Sequence, residues 1–223
     1  MKKITASAIG MLFATPIWAT CQLSGYQANY TFYNKNNKAI GTHSEFLKLK
    51  SSNQYEIYGN SHMKVLWIKE NMSTTVKGQY NNNQFTPKTY HFHESHKNTT
   101  IQFTVSSGRY DPLSYILNLR AALLTNKKSF SYPVQYTATN TSKAKTVNLN
   151  ALKTVKLNTA LGTLEAVNIS QTNQNGVTTR YTLAKKYGYL PVEIRGTKAG
   201  KMVFAERISG YTPTNSAYCA VKD

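Results

Sequence analysis

Apolar and polar residues alternate with a period of two along most of the chain, the spacing of strands with one oily and one wet face. Ala28, Tyr30 and Phe32 fall on one face, with Gln27, Asn29, Thr31 and Tyr33 on the other. Leu47 and Leu49 oppose Lys48 and Lys50, and Tyr90 and Phe92 oppose Thr89, His91 and His93. The pattern recurs at Ile101/Phe103/Val105, Tyr132/Val134/Tyr136, Val177/Thr179/Tyr181/Leu183, Leu190/Val192/Ile194 and Met202/Phe204. Turn-forming stretches separate these runs at Asn34–Asn37, Asn81–Asn83, Asn173–Gly176 and Ala199-Gly200. The pattern predicts about a dozen short antiparallel strands. Val65-Leu66-Trp67-Ile68 is apolar on both parities, which predicts a strand covered on both sides.

One segment changes period. Asp111 suits a helix N-cap and Pro112 the first helical position. From Leu113 to about Asn126 apolar residues then recur at helical spacing, and Lys127-Lys128 suit the C-terminal end of the dipole. Leu113, Ile116, Leu117, Arg120 and Leu124 share a stripe, which Leu119 and Leu123 widen. So broad an apolar surface predicts a helix packed into a concave sheet. A sheet this wide curls or closes. The expected fold is therefore mainly β: a single antiparallel curved sheet forming an incomplete or closed β-barrel over residues 25–211, with one main α-helix packed in or across it. A single domain over residues 20–223 is expected.

The first nineteen residues read as an export signal. Met1-Lys2-Lys3 is a basic start, the apolar run Ile4 to Ala19 follows, and small Ala19 suits the cut. Removal of this segment predicts a periplasmic protein and lowers the formal charge from +18 to +16. No later run approaches the ~18 apolar residues of a membrane helix. Cys21 and Cys219, the two cysteines, are expected to pair in an oxidising compartment. Such a bridge would close nearly the whole mature chain, stabilising it by at most about 5 kcal/mol. Two free thiols and lipidation of Cys21 are the alternatives. Trp18-Ala19-Thr20-Cys21 departs from the Leu-Ala-Gly-Cys pattern of bacterial lipidation signals.

Several motifs together resemble a known family. They are Gly41 after the early Tyr-rich strand, Phe85-Thr86-Pro87-Lys88-Thr89-Tyr90, the helix start Asp111-Pro112-Leu113-Ser114-Tyr115-Ile116-Leu117-Asn118-Leu119-Arg120, and Gly188-Tyr189-Leu190-Pro191-Val192-Glu193-Ile194. Over about residues 25–211 the chain resembles the bacterial domain-of-unknown-function family numbered 3108. The resemblance implies an exported protein built mainly of antiparallel strands, with no established activity. The architecture is also similar to lipoprotein-carrier half-barrels, an analogy of fold and not of function.

Composition narrows the chemistry. There are 27 Lys+Arg against 9 Asp+Glu, so acidic partners are favoured, and export makes nucleic acid an unphysiological one. No nucleophile elbow, phosphate-binding loop, Cys-x-x-Cys or His-Glu-x-x-His motif is present. A non-enzyme without a cofactor is expected. His91, His93 and His96 form the one metal-like group, because His91 and His93 share a strand face; the bland alternative is a polar strand running into a turn. Arg120 stands out as a cation inside an apolar stripe. It is expected either to pair internally with a strand carboxylate or snorkel to water, or to mark an anionic headgroup at a cavity mouth. The first functional expectation is an envelope protein holding a lipid or other apolar anionic ligand between sheet and helix. Trp67, Leu113, Ile116, Leu117 and Leu124 would line the site, with Arg120 at the charged end. The alternative is an envelope assembly or interaction protein with a filled core and a basic outer surface. An anionic lipid or envelope polymer is the expected partner.

Overall fold

Alternation and turn chemistry carry through to the structure, a computed structural model describing residues 23–65, 68–173 and 175–214. The expected export signal, both cysteines and Trp67 lie outside those residues. From the N-terminus run β1 (Tyr26–Asn34), β2 (Ala39–Lys50), β3 (Gln54–Val65), β4 (Ile68–Asn81), β5 (Gln84–Glu94) and β6 (Thr99–Thr104). Helix α1 (Ser114–Leu124) and the small β7 (Ser129–Tyr132) and β8 (Lys145–Asn148) pair follow. The chain returns through β9 (Thr154–Thr159), β10 (Gly162–Thr172), β11 (Val177–Ala184), β12 (Leu190–Lys198) and β13 (Lys201–Pro213). Eleven strands form one antiparallel sheet in the order β6-β5-β4-β3-β2-β1-β13-β12-β11-β10-β9. It is two meanders sewn together where β1 pairs with β13. The sheet does not close, and β6 and β9 are its edges.

Tight turns set the register. Asn82 and Asn83 (φ 46° and 61°) join β4 to β5, and Ala199-Gly200 (φ 48° and 74°) join β12 to β13. Both are two-residue loops with positive φ at each position, the geometry whose twist matches that of the flanking strands. The apolar run at residues 65–68 departs from expectation. Val65 ends β3 and pairs with Ile68, the first residue of β4. The run is therefore shared between the end of β3 and the start of β4 and is not a single strand. Apolar identity alone does not distinguish a buried strand from a hairpin end, and this end carries no Gly, Asn or Pro to announce it.

Asp111 starts the helix as its sequence position suggested, although the regular helix begins at Ser114. Its Oδ1 accepts from the backbone N–H of Leu113 (2.8 Å) and Ser114 (3.0 Å), and the Ser114 hydroxyl donates to Oδ2. Two donors otherwise orphaned at the helix start are thus satisfied. The helix is buried around most of its circumference. Leu117 and Ala121 join the core against the first meander. Tyr115, Leu119, Ala122 and Leu123 join a second core with Phe130, Tyr132, Val167, Ile169 and Leu183. The broad apolar surface is explained: one helix serves two cores. Asn118 fixes its height, accepting from the Phe85 N–H (3.0 Å) and donating to the Phe85 carbonyl (2.7 Å), as a neighbouring strand would.

Candidate functional site: an acidic cavity under the helix

The pleat places alternate residues of β1, β2 and β3 on the face that looks toward α1. Tyr30 is registered with His43 on β2, which is registered with Ser61 on β3. On one flank of β1, Ala28 is opposite Glu45; on the other, Phe32 is opposite Glu206 of β13. Two carboxylates distant in sequence therefore face the same side with one strand between them. With the N-terminal half of the helix they enclose a cavity of about 320 Å³, at the small end of the range for ligand pockets. Leu113, Ile116 and Leu117 form its helical wall, and Ile57, Pro191, Ile194 and Phe204 add apolar surface from the sheet. Among the described residues no lysine or arginine lines it. In a chain of net charge +18, the interior of this cavity is acidic.

The polar groups are held in place by one another. Tyr26 donates its hydroxyl to Glu45 Oε1 at 2.5 Å, and Tyr30 donates to the Pro191 carbonyl at 3.1 Å. His43 Nδ1 and Ser61 Oγ are hydrogen-bonded at 2.8 Å. At the far side Tyr115 donates to the Tyr181 hydroxyl at 2.5 Å, and Gln171 donates to the same oxygen at 3.1 Å. Burial pushes both the Tyr26 and Tyr30 hydroxyls well above the ordinary phenol range, and the Glu45 charge adds to it. His43 is pulled down by burial against a smaller opposing pull from Glu45, so its imidazole is neutral at pH 7.

Glu206 is the exception among these groups. Among the described residues it has neither a hydrogen-bond nor an ion-pair partner. The residue is half-buried, and desolvation together with the Glu45 charge raises its pKa to about 8. At neutral pH it is a protonated acid facing a cavity, able to donate a hydrogen bond.

The residues expected from sequence divide. Leu113, Ile116 and Leu117 line the cavity. Leu124 packs elsewhere in the core, Trp67 is not described, and Arg120 is not at the mouth. Arg120 is 1% exposed and points from the helix to the β11–β12 connection. Its Nε donates to the Gly188 carbonyl at 3.0 Å and Nη2 to the Tyr187 carbonyl at 3.3 Å. Its guanidinium carbon lies 4.8 Å from the centre of the Tyr26 ring, a cation–π contact. The cation thus stands one layer behind the wall, with Tyr26 between it and Glu45. Gly188 (φ 60°) takes the left-handed conformation that turns its carbonyl toward Arg120. Arg120 therefore meets backbone carbonyls and not a strand carboxylate, fastening helix to sheet, and the acidic groups that line the cavity are Glu45 and Glu206.

The histidines also stay apart. His91 and His93 share the outward face of β5, and His93 Nδ1 is bonded to Thr100 Oγ1 at 3.1 Å. The His96 backbone N–H donates to Glu70. Among the described residues no three His, Cys, Asp or Glu side chains gather as a metal site. Glu45 and Glu206 escaped the sequence reading although a signal was present. Each occupies the apolar parity of its strand, Glu45 with Leu47 and Leu49, and Glu206 with Phe204 and Ile208.

Known proteins place the fold. A β-barrel-like protein of a domain of unknown function numbered 1849 from Brucella abortus superposes with a TM-score of 0.55 and 10% identity, covering 88% of this chain and 100% of that one. MucB aligns at a TM-score of 0.41 and 8% identity, covering 88% of this chain and 55% of that one. A MucA/MucB complex from Pseudomonas aeruginosa gives 0.39 and 8%, over 91% of this chain and 59% of that one. Only the first superposition bears on the fold. A search among curated proteins returns no match. Among the described residues no helix is long and apolar enough to cross a membrane. A family model matches residues 68–204, more than half of the chain and the span from β4 to β13 that contains the helix. The chain belongs to the family of proteins of unknown function DUF3108.

Proposed function

We propose that this protein is a non-enzymatic component of the bacterial cell envelope, exported to the periplasm, that holds a small apolar ligand between α1 and the concave face of the sheet. The observation that carries this reading is the cavity itself: apolar helical and strand walls meet a few fixed polar groups, the usual design of a ligand site. The polar end of the ligand is uncharged or cationic. The Glu45 charge repels an anion, whereas protonated Glu206 and the tyrosine hydroxyls suit a neutral oxygen or nitrogen. Acyl-transfer chemistry fits the site poorly. Ser61 and His43 are in contact, but the Glu45 charge would oppose an oxyanion, and among the described residues no Lys or Arg lines the cavity to balance one.

Native mass spectrometry before and after organic extraction tests the reading. Protein purified from its host should carry a small non-protein mass that extraction removes, and Ile116→Trp, which fills the cavity from the helix side, should carry none. A ligand-free wild type, or equal retention by the folded variant, would contradict it.

A further inference from the structure

The opposite face of the same strands carries a second concave feature, built around a single carboxylate. Glu193 on β12 is 3% exposed and faces outward, registered with Arg207 on β13 and with Thr182 on β11. Three guanidinium groups converge on it. Arg195 Nη2 lies 2.7 Å and Arg207 Nε 3.2 Å from Oε1, and Arg180 Nη2 lies 3.5 Å from Oε2. Burial alone would raise the Glu193 carboxyl, but the hydrogen bonds and charges of Arg195 and Arg207 outweigh it and hold the group low and ionised. The cluster therefore carries three positive charges and one negative, a net of +2.

Among the described residues no second carboxylate pairs with these guanidinium groups. Cations crowded around one acceptor repel one another, and the cost grows as solvent is excluded. Among the described residues, Nε of Arg180 and Nε of Arg195 are buried without a hydrogen-bond partner. Beside the cluster runs a groove of about 390 Å³, walled by Arg195, Arg207, Thr31, Ser209 and the turn after β9 at Thr159. The Arg207 guanidinium lies 4.6 Å from the centre of the Tyr33 ring, which holds its plane. Forked donors of fixed plane, flanked by hydroxyls and carrying two surplus charges, match a dianion with several acceptor oxygens.

We propose that this outer groove binds a phosphate group, free or as a terminal monoester, between Arg195 and Arg207. A phosphate monoester carries close to two negative charges at pH 7 and so neutralises the cluster, where a carboxylate would leave it positive. The site is separate from the cavity under the helix and does not depend on the ligand held there.

Isothermal titration calorimetry of the full chain with inorganic phosphate, in a low-salt chloride buffer, tests the proposal. Wild type should bind one equivalent saturably. Arg195→Lys keeps the charge and loses the fork, and should bind about tenfold more weakly. Glu193→Gln removes the competing carboxylate and should bind severalfold more tightly. Lys127→Gln/Lys128→Gln removes two exposed charges that do not line the groove and should weaken binding less than about twofold. Absence of saturable binding to wild type overturns the proposal, as does a loss in the double lysine variant equal to that in Arg195→Lys. If Glu193→Gln folds and does not bind more tightly, the proposal also falls. If that variant does not fold, Arg195→Lys against the lysine control decides.

Discussion

Arg120→Ala is expected to destabilise the fold by about 3–5 kcal/mol, read as a lower denaturant midpoint at unchanged slope. The substitution strips the hydrogen bonds from the Gly188 and Tyr187 carbonyls, and each buried carbonyl left unpaired costs about 1–3 kcal/mol. It also removes the cation from the Tyr26 ring and empties the space of one of the largest fully buried side chains. Arg120→Met, which refills most of the volume, should recover part of the loss and not the carbonyl contribution. A side chain that served only to greet ligand at a cavity mouth would give the opposite pattern, with weakened binding at unchanged stability. Stability within about 1 kcal/mol of wild type for Arg120→Ala would refute the anchoring role.

Glu206→Gln is expected to change the pH dependence of stability more than any other substitution in the cavity. In the folded protein this carboxyl has a pKa of about 8 against an ordinary value of 4.5. Between those values the folded state holds a proton that the unfolded state has released, so stability falls as pH rises from about 4.5 and levels off above about 8. The full displacement corresponds to at most about 5 kcal/mol at 1.36 kcal/mol per pH unit. Solvent reaching the cavity screens part of it, and we expect about 1–3 kcal/mol. Below pH 4.5 wild type and variant should be nearly matched. At pH 9 the glutamine variant should be the more stable by that amount. Chemical denaturation at pH values from 4 to 9 checks this, and parallel profiles for the two proteins would contradict it.

Much of the architecture was legible because it is written locally. Period-two alternation and the paired asparagines located the strands and their reversals, and Asp111 located the helix start. What alternation does not encode is which distant strand lies alongside. The cavity depends on β13 returning to β1, which sets Phe32 against Glu206. The phosphate groove likewise needs Arg180, Glu193 and Arg207 from three strands on one outer face. Arg120 was conspicuous for the right reason, a cation in an apolar stripe, but its partners are backbone carbonyls, which have no sequence signature. The run at residues 65–68 misled because four consecutive apolar residues read as one strand, whereas Val65 ends β3 and Ile68 opens β4.

The most direct test of the cavity is a comparison of three amphiphiles that share a ten-carbon chain. Delipidated protein is titrated calorimetrically at pH 7 with decanol, decylamine and decanoate, each below its aggregation limit. The Glu45 charge, with Glu206 protonated, dictates the expected order: saturable binding of the alcohol and the amine, and decanoate at least about tenfold weaker. Tightest binding by decanoate, or failure of all three to saturate, would contradict an acidic, ligand-holding cavity beneath the helix.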